Sequence, residues 1–273
     1  MEDFQKKVCI DLARRIRLHC LRMVYNGKSG HIGSMLSTAD IYPVLYTQVL
    51  NVDSAAPKKV DRDRFLLSKG HGGAALLACL SELGYFPLDW LNRYYCDDGK
   101  LSGHISHHVP GVEFSTGSLG HGLPVACGMA LAAKQAGKTH RIFVLCSDGD
   151  LNEGSSWEAI MLAGQHHWDN LVMLVDYNRL QALGCSEDII NLDPLVPKLE
   201  MFGWRAVEAD GHDFNSIEVA LKNVPIEKGR PTAVIFRTVK GKGVSFMENE
   251  YKWHYGGLTE ELLGKALKEV EEA

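Results

Sequence analysis

The chain has 273 residues, of which 45% are hydrophobic and 23% charged, and this composition is that of an ordinary globular protein with a buried core. Its formal net charge of −5 comes from interspersed acidic and basic residues, which excludes a basic face for nucleic acid. Seven scattered cysteines never form C-x-x-C, and no signal peptide or long apolar run occurs, so we expect a cytoplasmic protein without disulfides, zinc ribbon or membrane span.

The chain up to about residue 140 predicts helices separated by loops rich in Gly and His. Phe4, Val8, Leu12 and Ile16 recur at helical spacing, and Gly27 is a natural stop for this first helix. Similar patterns predict three further helices, over residues 39–50, 72–83 and 124–136.

The chain from residue 141 onward alternates short apolar runs with helical segments. The predicted strands are 141–146, 171–176, 205–207 and 232–239, and the predicted helices are 155–167, 194–202 and 216–223. This alternation predicts an α/β fold with a mostly parallel sheet covered by helices on both faces. We expect a single domain over residues 1–273, made of a helix- and loop-rich part (1–140), a doubly wound core (141–240) and a C-terminal helix (259–272).

Polar residues follow two of the predicted strands at the point where each strand ends. Asp148 and Asn178 come just after strands 141–146 and 171–176, and neighbouring parallel strands would bring the two side chains together. One carboxylate, one amide oxygen and a backbone carbonyl suit Mg²⁺ when phosphate oxygens complete its shell. Gly149 and the helix that starts near Ser155 would let a diphosphate approach the backbone. Taken alone, these residues would rather predict a turn at Asp148-Gly149 and a cap at Asn178.

The spacing of these residues resembles a known cofactor motif. Asp148 and Asn178 lie 30 residues apart, as in the thiamine-diphosphate motif Gly-Asp-Gly followed by Asn, although Ser147 replaces the first glycine. Further segments resemble the ordered motifs of the transketolase family over essentially the whole chain: Ser29-Gly30-His31-Ile32-Gly33, Ser68-Lys69-Gly70-His71, Ser102-Gly103-His104, Ser115-Thr116-Gly117-Ser118-Leu119-Gly120-His121-Gly122 and Trp253-His254-Tyr255-Gly256.

The resemblance implies a thiamine-diphosphate-binding fold with roles for individual residues. Asp148, Asn178 and the carbonyl of Leu180 are expected to hold Mg²⁺, or Ca²⁺ or Mn²⁺ in its place. Residues expected to line the cofactor itself are Gly149, His71 and His254 at the diphosphate and Gly117 and Leu119 at the two rings. Residues expected near the reacting sugar are His31, His71, His104 and His254. Glu153 and Glu158 resemble an acidic pair between two cofactor sites, with Glu153 counted as cofactor-binding.

Other histidines allow a competing hypothesis. His104, His107 and His108 have a spacing that would suit zinc on a helix, but Gly103 and Pro110 favour a loop. Near-neutral imidazoles suit hydrogen bonding and proton transfer at sugar hydroxyls. The role of His121, which stands where the family carries another polar residue, is left open.

The resemblance implies transfer of a two-carbon ketol unit from a ketose, expected to be phosphorylated, to an aldose. Family members supply the cofactor-activating glutamate and the phosphate-binding arginines from later domains, whereas this chain ends at Ala273, so we expect a second subunit in an α2β2 assembly. Alternatives are the α subunit of a 2-oxo-acid dehydrogenase or decarboxylase, a non-enzymatic cofactor-binding scaffold, and a split transketolase for a sulfonated or branched sugar.

Overall fold

A computed structural model describes residues 1–272, so Ala273, the last residue of the expected domain, lies outside the described part. Its centre is a parallel sheet with strand order β1-β2-β3-β7-β6. The strands of this sheet are β1 (Arg64–Leu67), β2 (Ile142–Ser147), β3 (Leu171–Tyr177), β6 (Arg205–Asp210) and β7 (Thr232–Arg237). A small antiparallel pair, β4 (Leu180–Gln181) and β5 (Gly184–Cys185), follows β3. The predicted parallel α/β fold is confirmed.

The helices occupy both faces of the sheet. In chain order they are α1 (Asp3–Asn26), α2 (Ile32–Leu36), α3 (Ile41–Val44), α4 (Gly73–Glu82), α5 (Gly122–Gln135), α6 (Gly154–Gln165), α7 (Ser186–Ile189), α8 (Leu195–Met201), α9 (Phe214–Lys222) and α10 (Glu260–Glu272). Short 3₁₀ turns cover Gly70–Gly72, Leu88–Arg93, Gly149–Asn152 and Tyr251–His254. Among the described residues, no helix is both long enough and apolar enough to cross a membrane.

Alternate residues of each central strand enter two separate cores. In β2, Val144 and Cys146 pack with helices α5 and α6, while Phe143 and Leu145 pack with α1 to α4, α9 and α10. Because both faces of the sheet are covered, its central strands β2 and β3 are buried along their whole length and mostly apolar, whereas the edge strand β6 is partly exposed. This buried, rigid sheet fixes the positions of the loops that follow its strands.

Two sequence predictions need correction. Strand β1 lies within the part predicted to contain only helices and loops, and it pairs with β2 at one end of the core expected to start at residue 141. The strand has only four residues, and three of them are apolar in succession, so it does not show the alternation of apolar and polar residues that is typical of a strand. The helix predicted over 39–50 is instead α3 followed by a π-helical segment, Leu45–Val49. Asp40, just before α3, binds other side chains and does not cap the helix.

Candidate active site

The candidate site lies where four adjacent strands of the sheet end. The loops after β1, β2, β3 and β7 leave the same edge because these strands are parallel and neighbouring. They carry His71, Asp148, Asn178 and Lys240, all of which are buried. The edge therefore gathers charged and polar side chains from segments far apart in the chain.

The four histidines predicted to contact the sugar form one cluster around His31. The ring centroid of His31 lies 5.0 Å from that of His71, 5.4 Å from His254 and 6.1 Å from His104. His31 adopts a left-handed backbone conformation (φ 69°) just before α2, a strained geometry for a non-glycine residue that is typical of functional sites. The exposed ring of Tyr255 contacts the same histidine, with centroids 4.9 Å apart, and lies at the rim of the cluster.

Three of these histidines are neutral. Burial, followed by nearby positive charges, lowers the pKa of His31 to about 4 and that of His254 to about 3, and it lowers the pKa of His71 well below its ordinary value. A neutral imidazole offers one N–H donor and one acceptor nitrogen. The cluster can therefore both donate to and accept from sugar hydroxyls.

The predicted metal ligands are held in place by their neighbours. Ser186 Oγ donates to Asp148 Oδ2, and the backbone N–H of Gly149 donates to Oδ1 at 2.9 Å. Asn178 donates its Nδ2 to Asp176 Oδ2 at 3.1 Å, and its Oδ1 accepts from the backbone N–H of Leu180 at 3.1 Å, which leaves the second lone pair of Oδ1 for a further ligand. Burial raises the pKa of Asp148, so a bound cation would favour its charged form.

The third predicted ligand, the carbonyl of Leu180, already binds a cation. Lys240 Nζ donates to Leu180 O at 2.7 Å and to His254 Nδ1 at 2.9 Å, which leaves the imidazole proton of His254 on Nε2. Lys240 is 1% exposed, and its burial lowers its pKa to about 8 despite the nearby Asp148 carboxylate. The carbonyl of Leu180 thus faces a position that suits positive charge, near the Asp148 carboxylate, which is compatible with a metal ion there.

The metal prediction depends on oxygen ligands beyond carboxylates. Within residues 1–272 no three His, Cys, Asp or Glu side chains are grouped as a metal site. An Mg²⁺ ion bound by Asp148, Asn178 and Leu180 would therefore need the oxygens of a phosphate ligand, as its usual coordination allows.

The predicted cofactor-lining residues also come together, with one exception. A Cβ atom on Gly149 would lie 3.3 Å from Leu119, and one on Gly117 would lie 3.5 Å from His104, so the loop 115–122 borders both the metal ligands and the histidine cluster. Glu153 and Glu158 are exposed, and Glu153 packs against Gly120 of this loop and not against the metal ligands or the histidines. Their roles at an interface stay predictions.

The sequence analysis assigned no role to Asp150, which joins three of the motif segments. Its fully buried carboxylate accepts hydrogen bonds from Ser68 Oγ (2.6 Å), Gly120 N (2.9 Å) and Ser147 N (2.9 Å). The hydroxyl of Ser147 also bonds Asp150 Oδ2 at 3.1 Å. Serine therefore fits in place of the motif's first glycine. The spacing of three residues between Ser147 and Asp150 was the sequence signal that could have indicated this contact.

A buried ion pair lies beneath the site and was likewise missed. Lys69 and Asp176 are both fully buried and in contact, and Asp176 also accepts from Ser37 (2.7 Å), Thr238 (2.5 Å) and Asn178. Burial alone would raise the pKa of Asp176, but Lys69 and the other donors lower it. This carboxylate orients the amide of Asn178, and its place two residues before Asn178 was a usable signal.

The remaining histidines lie outside the cluster. Residues 101–121 form a loop and not a helix that could bind zinc through His104, His107 and His108, so the predicted loop is confirmed. His107 and His108 are exposed, with His107 Nδ1 2.8 Å from Ser115 Oγ. His121 is exposed and precedes α5, and nothing in the structure assigns it a role.

Comparison with known proteins identifies the family. The family model described as transketolase, thiamine diphosphate binding domain, matches residues 8–270. The chain is 44% identical over 256 residues to one of the subunits of the apulose-4-phosphate transketolase of Actinobacillus succinogenes, covering 93% of this chain and 91% of that one. It is 38% identical over 243 residues to a 6-deoxy-6-sulfo-D-fructose transketolase subunit of a Clostridium species, covering 89% and 88%.

A solved structure gives the same fold. The transketolase of Campylobacter jejuni superposes with a TM-score of 0.91 at 32% identity, over 97% of this chain and 43% of that protein. The chain thus spans less than half of that transketolase but nearly all of the two subunits above. The match to the transketolase model favours this family over the 2-oxo-acid dehydrogenase alternative. The chain belongs to the transketolase family, as a member of its thiamine-diphosphate-binding domain.

Proposed function

We propose that this chain is the diphosphate-binding subunit of a two-chain transketolase, a transferase that moves a two-carbon ketol unit from a ketose to an aldose. The observation that carries the proposal is the convergence of His31, His71, His104 and His254 beside Asp148 and Asn178 at one sheet edge. Neutral imidazoles beside oxygen ligands for a metal ion suit a phosphate-bearing cofactor next to a polyhydroxylated substrate.

The proposed cofactor is thiamine diphosphate with Mg²⁺, for which Ca²⁺ or Mn²⁺ could substitute. Asp148, Asn178 and the carbonyl of Leu180 would bind the metal, while Gly149 and Lys240 would face the diphosphate. When bound, the cofactor supplies the carbon centre that cleaves and forms the sugar carbon–carbon bond. The task of the protein residues is to orient the cofactor and to hold and transfer protons at the substrate hydroxyls.

The names of the relatives support a specialised sugar and a second subunit. Two of them are subunits of transketolases for apulose 4-phosphate and for 6-deoxy-6-sulfo-D-fructose. We therefore propose that the partner is a C-terminal transketolase subunit in an α2β2 complex, and that the donor is a phosphorylated, sulfonated or branched ketose. The scattered, unpaired cysteines support a cytoplasmic location.

A direct assay tests this function. The chain is co-expressed with the product of the neighbouring gene, and the purified complex is assayed for ketol transfer with a panel of phosphorylated, sulfonated and branched ketoses. We expect transfer that depends on both thiamine diphosphate and Mg²⁺. Absence of transfer with every donor, in a complex that binds the cofactor, would contradict the proposal.

Alanine variants of the histidine cluster should lose turnover. In the assembled complex, His31→Ala, His71→Ala, His104→Ala and His254→Ala should each lower kcat on the order of 10²-fold, because each removes a donor or acceptor near the reacting sugar. Cofactor affinity should be best preserved in His31→Ala and His104→Ala. His107→Ala, on the same loop but hydrogen-bonded to Ser115, is the matched control and should keep normal turnover. Full activity in all four cluster variants would show that the site is wrongly assigned.

Replacing Lys240 should weaken cofactor binding. A charge-assisted hydrogen bond contributes about 1.5–3 kcal/mol, so Lys240→Met should raise the Kd for thiamine diphosphate on the order of 10-fold to 10²-fold by calorimetry. Lys242→Met is the matched control, because Lys242 lies on the same loop but is 37% exposed and pairs with Glu248. Equal affinities for the two variants would remove Lys240 from the diphosphate site.

A further inference from the structure

A buried cluster of three side chains lies beneath the loop that carries Lys240. Arg17 of α1 donates to both carboxylate oxygens of Asp40, at 2.8 and 2.6 Å, and His212 Nδ1 lies 2.8 Å from Asp40 Oδ2. The side chains of Arg17, Asp40 and His212 are 10%, 8% and 14% exposed. The roles assigned above to the sugar, the cofactor and the metal involve none of these three residues.

The hydrogen bonds of His212 fix its tautomer. The backbone N–H of Val239 points at His212 Nε2, with a nitrogen–nitrogen distance of 2.8 Å. A backbone amide can only donate, so Nε2 must be the acceptor, and the ring proton must lie on Nδ1 and point at Asp40. The ring of His212 therefore links the Asp40 carboxylate to the backbone of Val239 through two hydrogen bonds.

The same cluster binds the loop on the other side of Lys240. Arg17 Nε donates to the carbonyl of Lys242 at 3.0 Å. Between these two anchors, the N–H of Gly241 donates to Gly33 O at 3.0 Å, which ties the loop to the segment that follows His31. The backbone is thus fixed immediately before Lys240 and two residues after it.

We propose that His212 is a positioning residue for Lys240, acting through the Val239 amide and supported by Asp40 and Arg17. By fixing this backbone, His212 aims the Lys240 ammonium at Leu180 and His254, where the cofactor diphosphate would bind. The proposal rests on the proposed function for the ligand of Lys240. The contacts that fix the loop, by contrast, join residues of this chain only and do not depend on the ligand.

A double-mutant cycle separates positioning from general stabilisation. His212→Leu removes both ring nitrogens, whereas His212→Gln keeps an acceptor in reach of Val239. In the wild-type background, His212→Leu should weaken binding of thiamine diphosphate with Mg²⁺ on the order of 10-fold by calorimetry, and His212→Gln should lose less. In the Lys240→Met background, His212→Leu should cause no further loss, because the side chain it positions is already gone. Equal losses in the two backgrounds would overturn the proposal.

Hydrogen exchange gives a readout that needs no cofactor. In the cofactor-free chain, His212→Leu should speed amide exchange at Val239 and Gly241 on the order of 10-fold or more, while exchange in β7 stays unchanged and His212→Gln lies between. Unchanged exchange at Val239 would overturn the positioning role whether or not the cofactor binds. If the wild-type complex with its partner binds no thiamine diphosphate but Val239 exchanges faster in His212→Leu, the proposed function is wrong while the positioning of the loop by His212 is supported. Should His212→Leu fail to fold, the His212→Gln measurements in both backgrounds decide the same question.

Discussion

Asp148→Ala and Asn178→Ala should each abolish Mg²⁺-dependent binding of thiamine diphosphate. Each variant removes one of the three proposed oxygen ligands, and among residues 1–272 no group of three His, Cys, Asp or Glu side chains could hold the metal ion instead. Both side chains lie in loops after strands and outside the two apolar cores, so the variants should unfold as cooperatively as the wild type. Calorimetric titration of thiamine diphosphate, with and without Mg²⁺, measures the effect.

Two variants serve as controls for this experiment. Asp188→Ala removes an exposed carboxylate on α7, two residues from Ser186, and should bind the cofactor normally. Asp148→Asn keeps the size of the side chain and can still accept from Gly149, so the variant should fold normally. Because it lacks the negative charge of the carboxylate, addition of Mg²⁺ should no longer increase its affinity for thiamine diphosphate. Unchanged cofactor affinity in both Asp148→Ala and Asn178→Ala would refute the metal assignment.

The sequence predicted that Asp148 and Asn178 lie at one edge of the sheet because its signals are local. Both residues follow apolar runs, and the ends of parallel strands meet at one edge of a sheet whatever the details of packing. His71 was predicted at the site only through the family resemblance, since strand β1 before it has four residues and no alternating pattern. β1 pairs with β2, which is far away in the chain. The sequence of a single short segment does not indicate such a distant pairing partner.

The residues that the sequence did not reveal act through contacts distant in the chain. Asp150 bonds Ser68 and Gly120, 82 and 30 residues away, and Lys69 pairs with Asp176 across 107 residues. Buried charges of this kind are retained only with partners, and sequence spacing alone does not identify the partner. Lys240 is a further case, because the contacts of its ammonium group with Leu180 and His254 depend on the fold.

The second large effect concerns the division of the active site between two chains. Purified alone, with saturating cofactor and Mg²⁺, the chain should show no detectable ketol transfer, and added partner should restore activity in proportion to the complex formed. The physical reason is that the basic side chains of this chain already have other partners. Lys69 is buried against Asp176, and Lys240 is assigned above to the cofactor diphosphate, while Arg179 pairs with Glu187 and Arg205 with Glu200.

None of these four basic groups is thus free to bind a distant phosphate or sulfonate by paired hydrogen bonds. Recognition of the far end of the sugar should therefore come from the partner. Exchanging the partner for one from a related transketolase with another donor sugar should shift the ratio of kcat/KM values toward that sugar. A complex made with the Asp148→Ala chain controls for activity of the partner alone. Turnover by the isolated chain, or donor preference that follows this chain through the exchange, would contradict the model, because either result would require this chain itself to bind the far end of the sugar.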